Sequence, residues 1–156
     1  MPVSLTNEQT RPIRTAQLKM VATRLLREAN LATAQVDILL TDDATVRSLN
    51  LQYRGYDKPT DVLSFAQRDP VEGVPSAPAL PGEPEMLGDV VISVDTAVRQ
   101  AEEHGVSLAQ ELALLAVHGI LHLLGFEDES EAGAREMHGR EREILGFTYP
   151  AAALPG

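Results

Sequence analysis

The sequence predicts a single domain, residues 1–156, in which helices and a few strands share one core. Three observations carry this. Branched apolar runs at Val36–Thr41, Val62–Gln67 and Gly88–Val94 are bounded by turn residues, as strands are. The stretches 13–29, 107–124 and 130–145 follow helical spacing. A chain of 156 residues with 44% hydrophobic content can bury a substantial core.

In chain order, a short strand around Val3–Leu5 precedes an amphipathic helix over 13–29, with Leu18, Val21, Ala22, Leu25 and Ala29 inward. Its cations Arg14, Lys19, Arg24 and Arg27 fall on several azimuths, which suits a solvated face better than an RNA-binding stripe. The strand Val36–Thr41 ends at Asp42-Asp43, side chains that cap helix N-termini. The helix they start should bury Val46, Leu49 and Tyr53 and close at Gly55, after which Asp57–Asp61 turns into the strand Val62–Gln67. Residues 68–86 hold five of the ten prolines and form a loop, longer than the ~12–15 residues beyond which such connections usually carry function. A flap beside the active site is favoured there over an inert insertion. Gly88–Val94 has the pattern of an interior strand, and Asp95 or Thr96 should cap a short helix ending at His104-Gly105, where His104 complements the helix C-terminus. Ser107-Leu-Ala-Gln110 has capping-box form and opens the central helix.

The chemistry concentrates at the end of that central helix, in His118-Gly-Ile-Leu-His122-Leu-Leu-Gly125-Phe-Glu-Asp128. Residues four apart on an α-helix differ by about 40° in azimuth, so His118 and His122 lie one above the other and can meet one ion. A lone histidine on an apolar helix is usually a hydrogen-bonded core residue. A pair at ligand spacing, followed by a glycine turn and a carboxylate, points instead to a metal held by His118, His122 and Asp128. Two histidines and a carboxylate leave a position open, as catalytic zinc sites do. Glu111 shares the histidine face but lies about 10 Å along the axis from His118, too far to be a ligand, and is expected to face solvent or back the site. His138, on the last helix, is a spare ligand candidate for which a surface or packing role is favoured.

Composition excludes several classes. The net charge is −10, with +2 on residues 1–60 and −12 on residues 61–156, unlike a generic nucleic-acid binder, though a local basic groove remains compatible with it. With no cysteine, metal ligands must be His, Asp or Glu. No apolar run approaches the ~18–20 residues of a membrane span, and the first residues lack signal-peptide character, so a cytoplasmic protein without a membrane role is expected. Neither a Walker-type loop nor a Gly-x-Gly-x-x-Gly occurs.

Three stretches together resemble the YbeY family: Leu49–Phe65 (LNLQYRGYDKPTDVLSF), Leu87–Ser93 (LGDVVIS) and His118–Phe126 (HGILHLLGF). The similarity covers roughly residues 36 to 147. It implies an α+β fold, a small mixed β-sheet flanked by helices. It also implies a metal-dependent single-strand endoribonuclease acting in ribosomal RNA maturation and ribosome quality control. The family's third metal ligand is a histidine where this chain has Asp128, so the resemblance implies Zn2+ held by His118, His122 and Asp128, with Mn2+ accepted more readily than by three histidines. The family's arginine maps onto Arg54, implying a catalytic and substrate-binding role on the phosphate, the alternative being an ion pair with Asp57 or Asp61. Lys58 and Thr60 are further candidates for the RNA backbone. Single-stranded and ribosomal RNA are the implied substrates, with ribosomal proteins or assembly factors as partners. Two rivals follow from the same residues. A zinc protease would carry a glutamate directly after the first histidine, where Gly119 stands. A non-catalytic assembly factor would use the metal only to stiffen the fold.

Overall fold

The computed structural model describes residues 3–67, 86–126 and 130–145. Strand β1 (Val3–Asn7) leads through helix α1 (Thr15–Glu28) to β2 (Gln35–Thr41). Then come α2 (Asp43–Arg54), β3 (Val62–Ala66), β4 (Met86–Ser93), α3 (Val94–His104), α4 (Leu108–Leu123) and α5 (Glu131–Leu145). The strands form one sheet in the order β1-β2-β4-β3. β1, β2 and β4 run parallel, and β3 lies antiparallel on the outer edge of β4. This is the small mixed sheet flanked by helices of an α+β fold.

Alternation along the strands divides the molecule into two layers. Val36, Ile38 and Leu40 of β2 and Val90 and Ile92 of β4 join the main core with Leu18, Ala22, Leu25 and Leu26 of α1 and most of α4. Leu39, Leu63, Phe65 and Val91 point the other way and meet Val46 and Leu49 of α2 in a smaller cluster. Every residue of α4 from Glu111 to Leu121 is buried. Burying one large aliphatic side chain contributes roughly 1.5–3 kcal/mol, so Leu112, Leu115, Ile120 and Leu121 together fix α4 firmly against the sheet. Among the described residues no single helix is long and apolar enough to cross a membrane; the apolarity of α4 serves the core.

Local chemistry accounts for the element ends. Asp42 caps α2 by accepting from the Thr45 amide at 2.9 Å, which holds its carboxyl below the ordinary carboxylate pKa. Ser107 and Gln110 complete the capping box of α4 reciprocally. The N-cap of α3 differs from expectation. It is Ser93, neither Asp95 nor Thr96, and Ser93 accepts from the Thr96 amide at 3.3 Å. Strand β4 runs into α3 without a connecting residue, so its last side chain doubles as the cap.

Two further expectations change. Tyr53 is 61% exposed, and the inner side of α2 is completed by Asn50, whose amide donates to the Lys58 carbonyl at 2.8 Å. Ala29, expected inward, is exposed because α1 ends at Glu28. The proline-rich stretch expected to be a loop over 68–86 lies outside the described residues except for Met86, which already belongs to β4.

Candidate metal centre

The packing of α4 on β3 and β4 depends on Gly119, between the two histidines of the motif. A Cβ at this position would stand 2.6 Å from Val90 Cγ1 and 3.2 Å from both Ser64 Oγ and Val62 Cγ2. The helix therefore touches the sheet where it carries the site, and Ser64 Oγ donates to the Gly119 carbonyl at 2.8 Å.

Beyond His122 the chain makes a Schellman turn. The Phe126 amide donates to the Leu121 carbonyl and the Gly125 amide to that of His122, both at 3.0 Å, with Gly125 at φ +97°. This geometry brings the Phe126 carbonyl 3.0 Å from His122 Nδ1. On the other side of the pair, α5 presents Glu141 with its Oε1 at 2.7 Å from His118 Nδ1. A carbonyl and a carboxylate only accept, so each Nδ1 is the donor in its bond and each Nε2 is left with its lone pair. The two Nε2 atoms face one another at 3.1 Å, the rings edge to face with centroids 4.6 Å apart.

Two converging lone pairs at that distance call for an electrophile between them, a metal cation or a shared proton. Neutral imidazoles whose other nitrogen is tied to a carboxylate or carbonyl are the form in which proteins present histidine to zinc. The residues present therefore fit a metal ion. The expected third ligand, Asp128, and its neighbour Glu127 lie outside the described residues. Among the described residues no three His, Asp or Glu side chains converge on one point, so His138, half-buried on α5, does not complete the pair there.

Glu141 is a member of the candidate site that sequence reading missed. It is fully buried, and its second oxygen, Oε2, has no hydrogen-bond partner among the described residues. A signal was available: Met137, Glu141 and Ile144 form the inward stripe of α5, and a carboxylate on such a stripe needs a partner. Glu111 also departs from expectation. It is 1% exposed, and its Oε2 lies 3.0 Å from Nδ1 of His104. His104 thus meets Glu111 at the start of α4, well away from the histidine pair.

The candidate substrate residues gather elsewhere. Arg54 ends α2, on the opposite side of the sheet from α4, and its guanidinium lies 5.4 Å from the Tyr56 ring centroid. Lys58 Nζ lies 5.6 Å from the same ring, and Thr60 Oγ1 donates to Asp61 at 3.3 Å. The ion pair considered for Arg54 belongs to Arg47, which meets Asp57 at 2.7 Å and draws its carboxyl below the ordinary value through that hydrogen bond. A groove of about 630 Å³ lies on the α2 side of the sheet, lined in part by Asp37, Asp89, Tyr53 and Phe65. A smaller one of about 440 Å³ opens at the α4–α5 turn, along Leu124, Gly125, Phe126 and Ser130. The smaller groove meets the histidine pair through Phe126, whose carbonyl accepts from His122 Nδ1.

The chain is similar to known proteins over nearly its whole length. The family described as Endoribonuclease YbeY matches residues 4–148. An Endoribonuclease YbeY of Moorella thermoacetica is 47% identical over 152 residues, covering 93% of this chain and 96% of that protein. One of Geobacter metallireducens is 42% identical over 150 residues, covering 94% and 95%. The solution structure of TM1509 from Thermotoga maritima superimposes with a TM-score of 0.61 at 25% identity, covering 92% of this chain and 89% of that one. By these matches over nearly its whole length, the chain belongs to the Endoribonuclease YbeY family.

Proposed function

We propose that this protein is a metal-dependent endoribonuclease that hydrolyses phosphodiester bonds in single-stranded RNA during ribosomal RNA maturation in the cytoplasm. Family membership supports the reaction class. The observation that carries the metal dependence is the opposed pair of Nε2 atoms, 3.1 Å apart, each with its Nδ1 tied to an acceptor.

His118 and His122 hold the ion, with Asp128 as third ligand by its place six residues after His122. Zn2+ suits two imidazoles and a carboxylate, and Mn2+ is accepted by the same set. When bound, the ion supplies Lewis-acid polarisation of the phosphate and a lowered pKa for water. Glu141 and the Phe126 carbonyl keep both imidazoles in the tautomer that offers Nε2. Arg54 grips the phosphate with its planar guanidinium and offsets charge developing on it, while Lys58 and Thr60 hold the neighbouring backbone.

The protease alternative is disfavoured by the space at Gly119, where any Cβ presses on Val90. The discriminating experiment is cleavage of a labelled single-stranded RNA by chelator-stripped protein, before and after adding zinc or manganese, with His122→Ala and Arg54→Ala alongside. Metal-restored cutting that both substitutions abolish is the expected result. Cutting that ignores metal and survives both changes would come from a contaminant and would overturn this reading in favour of a non-catalytic assembly factor with ribosomal protein partners.

A further inference from the structure

The described residues contain four exposed large hydrophobic side chains: Met20, Leu51, Tyr53 and Tyr56. Three of them lie within six residues at the C-terminal end of α2, so this is a patch rather than scatter. Tyr56 is 52% exposed on the turn after Gly55. Arg54 and Lys58 both lie over its ring, at 5.4 and 5.6 Å from the centroid, and among the described residues neither cation makes an ion pair. The nearby acid Asp57 is neutralised by Arg47. On a chain of net charge −10, the patch thus keeps two cations that have no ion-pair partner among the described residues around an open aromatic face.

We propose that Tyr56 is a stacking platform for one base of the single-stranded RNA, with Arg54 and Lys58 taking the flanking phosphates; this rests on the endoribonuclease reading above. A base stacked on an aromatic side chain is held several-fold more tightly than an exposed cation–π contact holds its cation. The base therefore wins the ring. The displaced guanidinium is compensated, since it gains a bidentate bond to phosphate. Stacking makes no use of the phenolic hydroxyl and tolerates any base, as an enzyme acting on single strands of varied sequence needs. A duplex keeps its bases stacked on each other, so the same patch discriminates against double-stranded RNA.

The platform is also placed to serve the metal centre. The turn that carries it continues into β3, whose Val62 and Ser64 side chains touch α4 at Gly119, beside His118. Six residues separate Tyr56 from Val62, a reach of at most ~20 Å. A strand crossing the β3 edge can therefore engage both.

The chain has no tryptophan, so Tyr56→Trp introduces a single reporter. The protein carrying it is titrated with a short single-stranded oligouridylate while tryptophan fluorescence is followed, and anisotropy of a labelled copy reports binding independently. Saturable quenching that tracks the anisotropy is expected. Tyr56→Ala should raise Kd roughly 5- to 100-fold, with Tyr56→Phe restoring the affinity. Normal anisotropy without quenching, or Tyr56→Ala binding as tightly as the parent, would overturn the platform and leave the nuclease reading standing. No anisotropy change in the unsubstituted protein would overturn both.

Discussion

The carboxylate of Glu141 reaches Nδ1 of His118 at 2.7 Å although the two residues lie 23 positions apart and neither has more than a sliver of exposed surface. The bond ties α5 to α4 through the first histidine of the motif. It also sets which ring nitrogen faces the centre. A buried carboxylate is costly unless its bonds are worth more than its hydration, and here one oxygen is committed to the imidazole while the other has no partner among the described residues.

Glu141→Ala should weaken zinc binding by about 10- to 100-fold, the usual consequence of removing the group behind a histidine ligand. Glu141→Gln, which keeps an accepting oxygen, should lose less. Competition with a chromogenic chelator reads this without reference to RNA cleavage. Equal zinc affinities in all three proteins would show that Glu141 is only a packing residue.

Gly119 sets the distance between helix and sheet. Alanine at this position gains about 1 kcal/mol of helix propensity, but its Cβ meets a buried, branched valine at 2.6 Å, and overpacking of that kind costs about 1–3 kcal/mol. Gly119→Ala is therefore expected to be destabilising by denaturant unfolding. Adding Val90→Ala should recover part of the loss specific to the clash. A Gly119→Ala protein more stable than its parent would contradict the packing described.

The legible part of this molecule was whatever is local along the chain. The strand patterns, the Asp42 and Ser107 caps and the glycine closing α2 at position 55 are written in neighbouring residues, and the structure contains them. The two histidines are four apart on one helix, so their convergence could be read from periodicity alone. Glu141 could not be paired with His118 in that way, because only the packing of α5 on α4 brings them together. Tyr53 misled for a related reason: helical spacing puts it below Leu49, but its side chain is 61% exposed near the end of α2, its ring edge-on to Phe65 at 5.2 Å between centroids. The exchange of Glu111 from a surface role to a buried bond with His104 likewise depends on how α3 and α4 meet.

Asp43 predicts an acid-sensitive joint. Partial burial raises its carboxyl pKa, but hydrogen bonds from Ser93 and Thr96, both 2.6 Å, and from Arg99 at 2.8 Å outweigh this and leave it below the ordinary value. A carboxyl with a lowered folded pKa contributes its full stabilisation above the unfolded value of about 4 and loses it as pH falls through the folded value. Asp43→Asn should therefore cost on the order of 1 kcal/mol at neutral pH, a gap that closes progressively below about pH 4. Urea unfolding of both proteins from pH 7 to pH 3 measures it. A gap that stays constant across that range would mean the carboxylate charge contributes nothing.

The last prediction concerns the proposed third ligand, Asp128, which stands where the three-histidine pattern that this chain otherwise resembles has its last histidine. Asp128 brings a negative charge and a hard oxygen donor where an imidazole would be neutral and softer. Imidazole favours zinc over manganese more strongly than carboxylate does, because manganese sits at the weak-binding end of the divalent series and gains least from nitrogen donors. Asp128→His should raise the preference for zinc over manganese while leaving His118 and His122 in place. Competitive titration of the two ions against the parent and Asp128→His proteins measures this directly. An unchanged ratio would mean that position 128 is not a ligand, and that the third donor comes from elsewhere in the chain or from solvent.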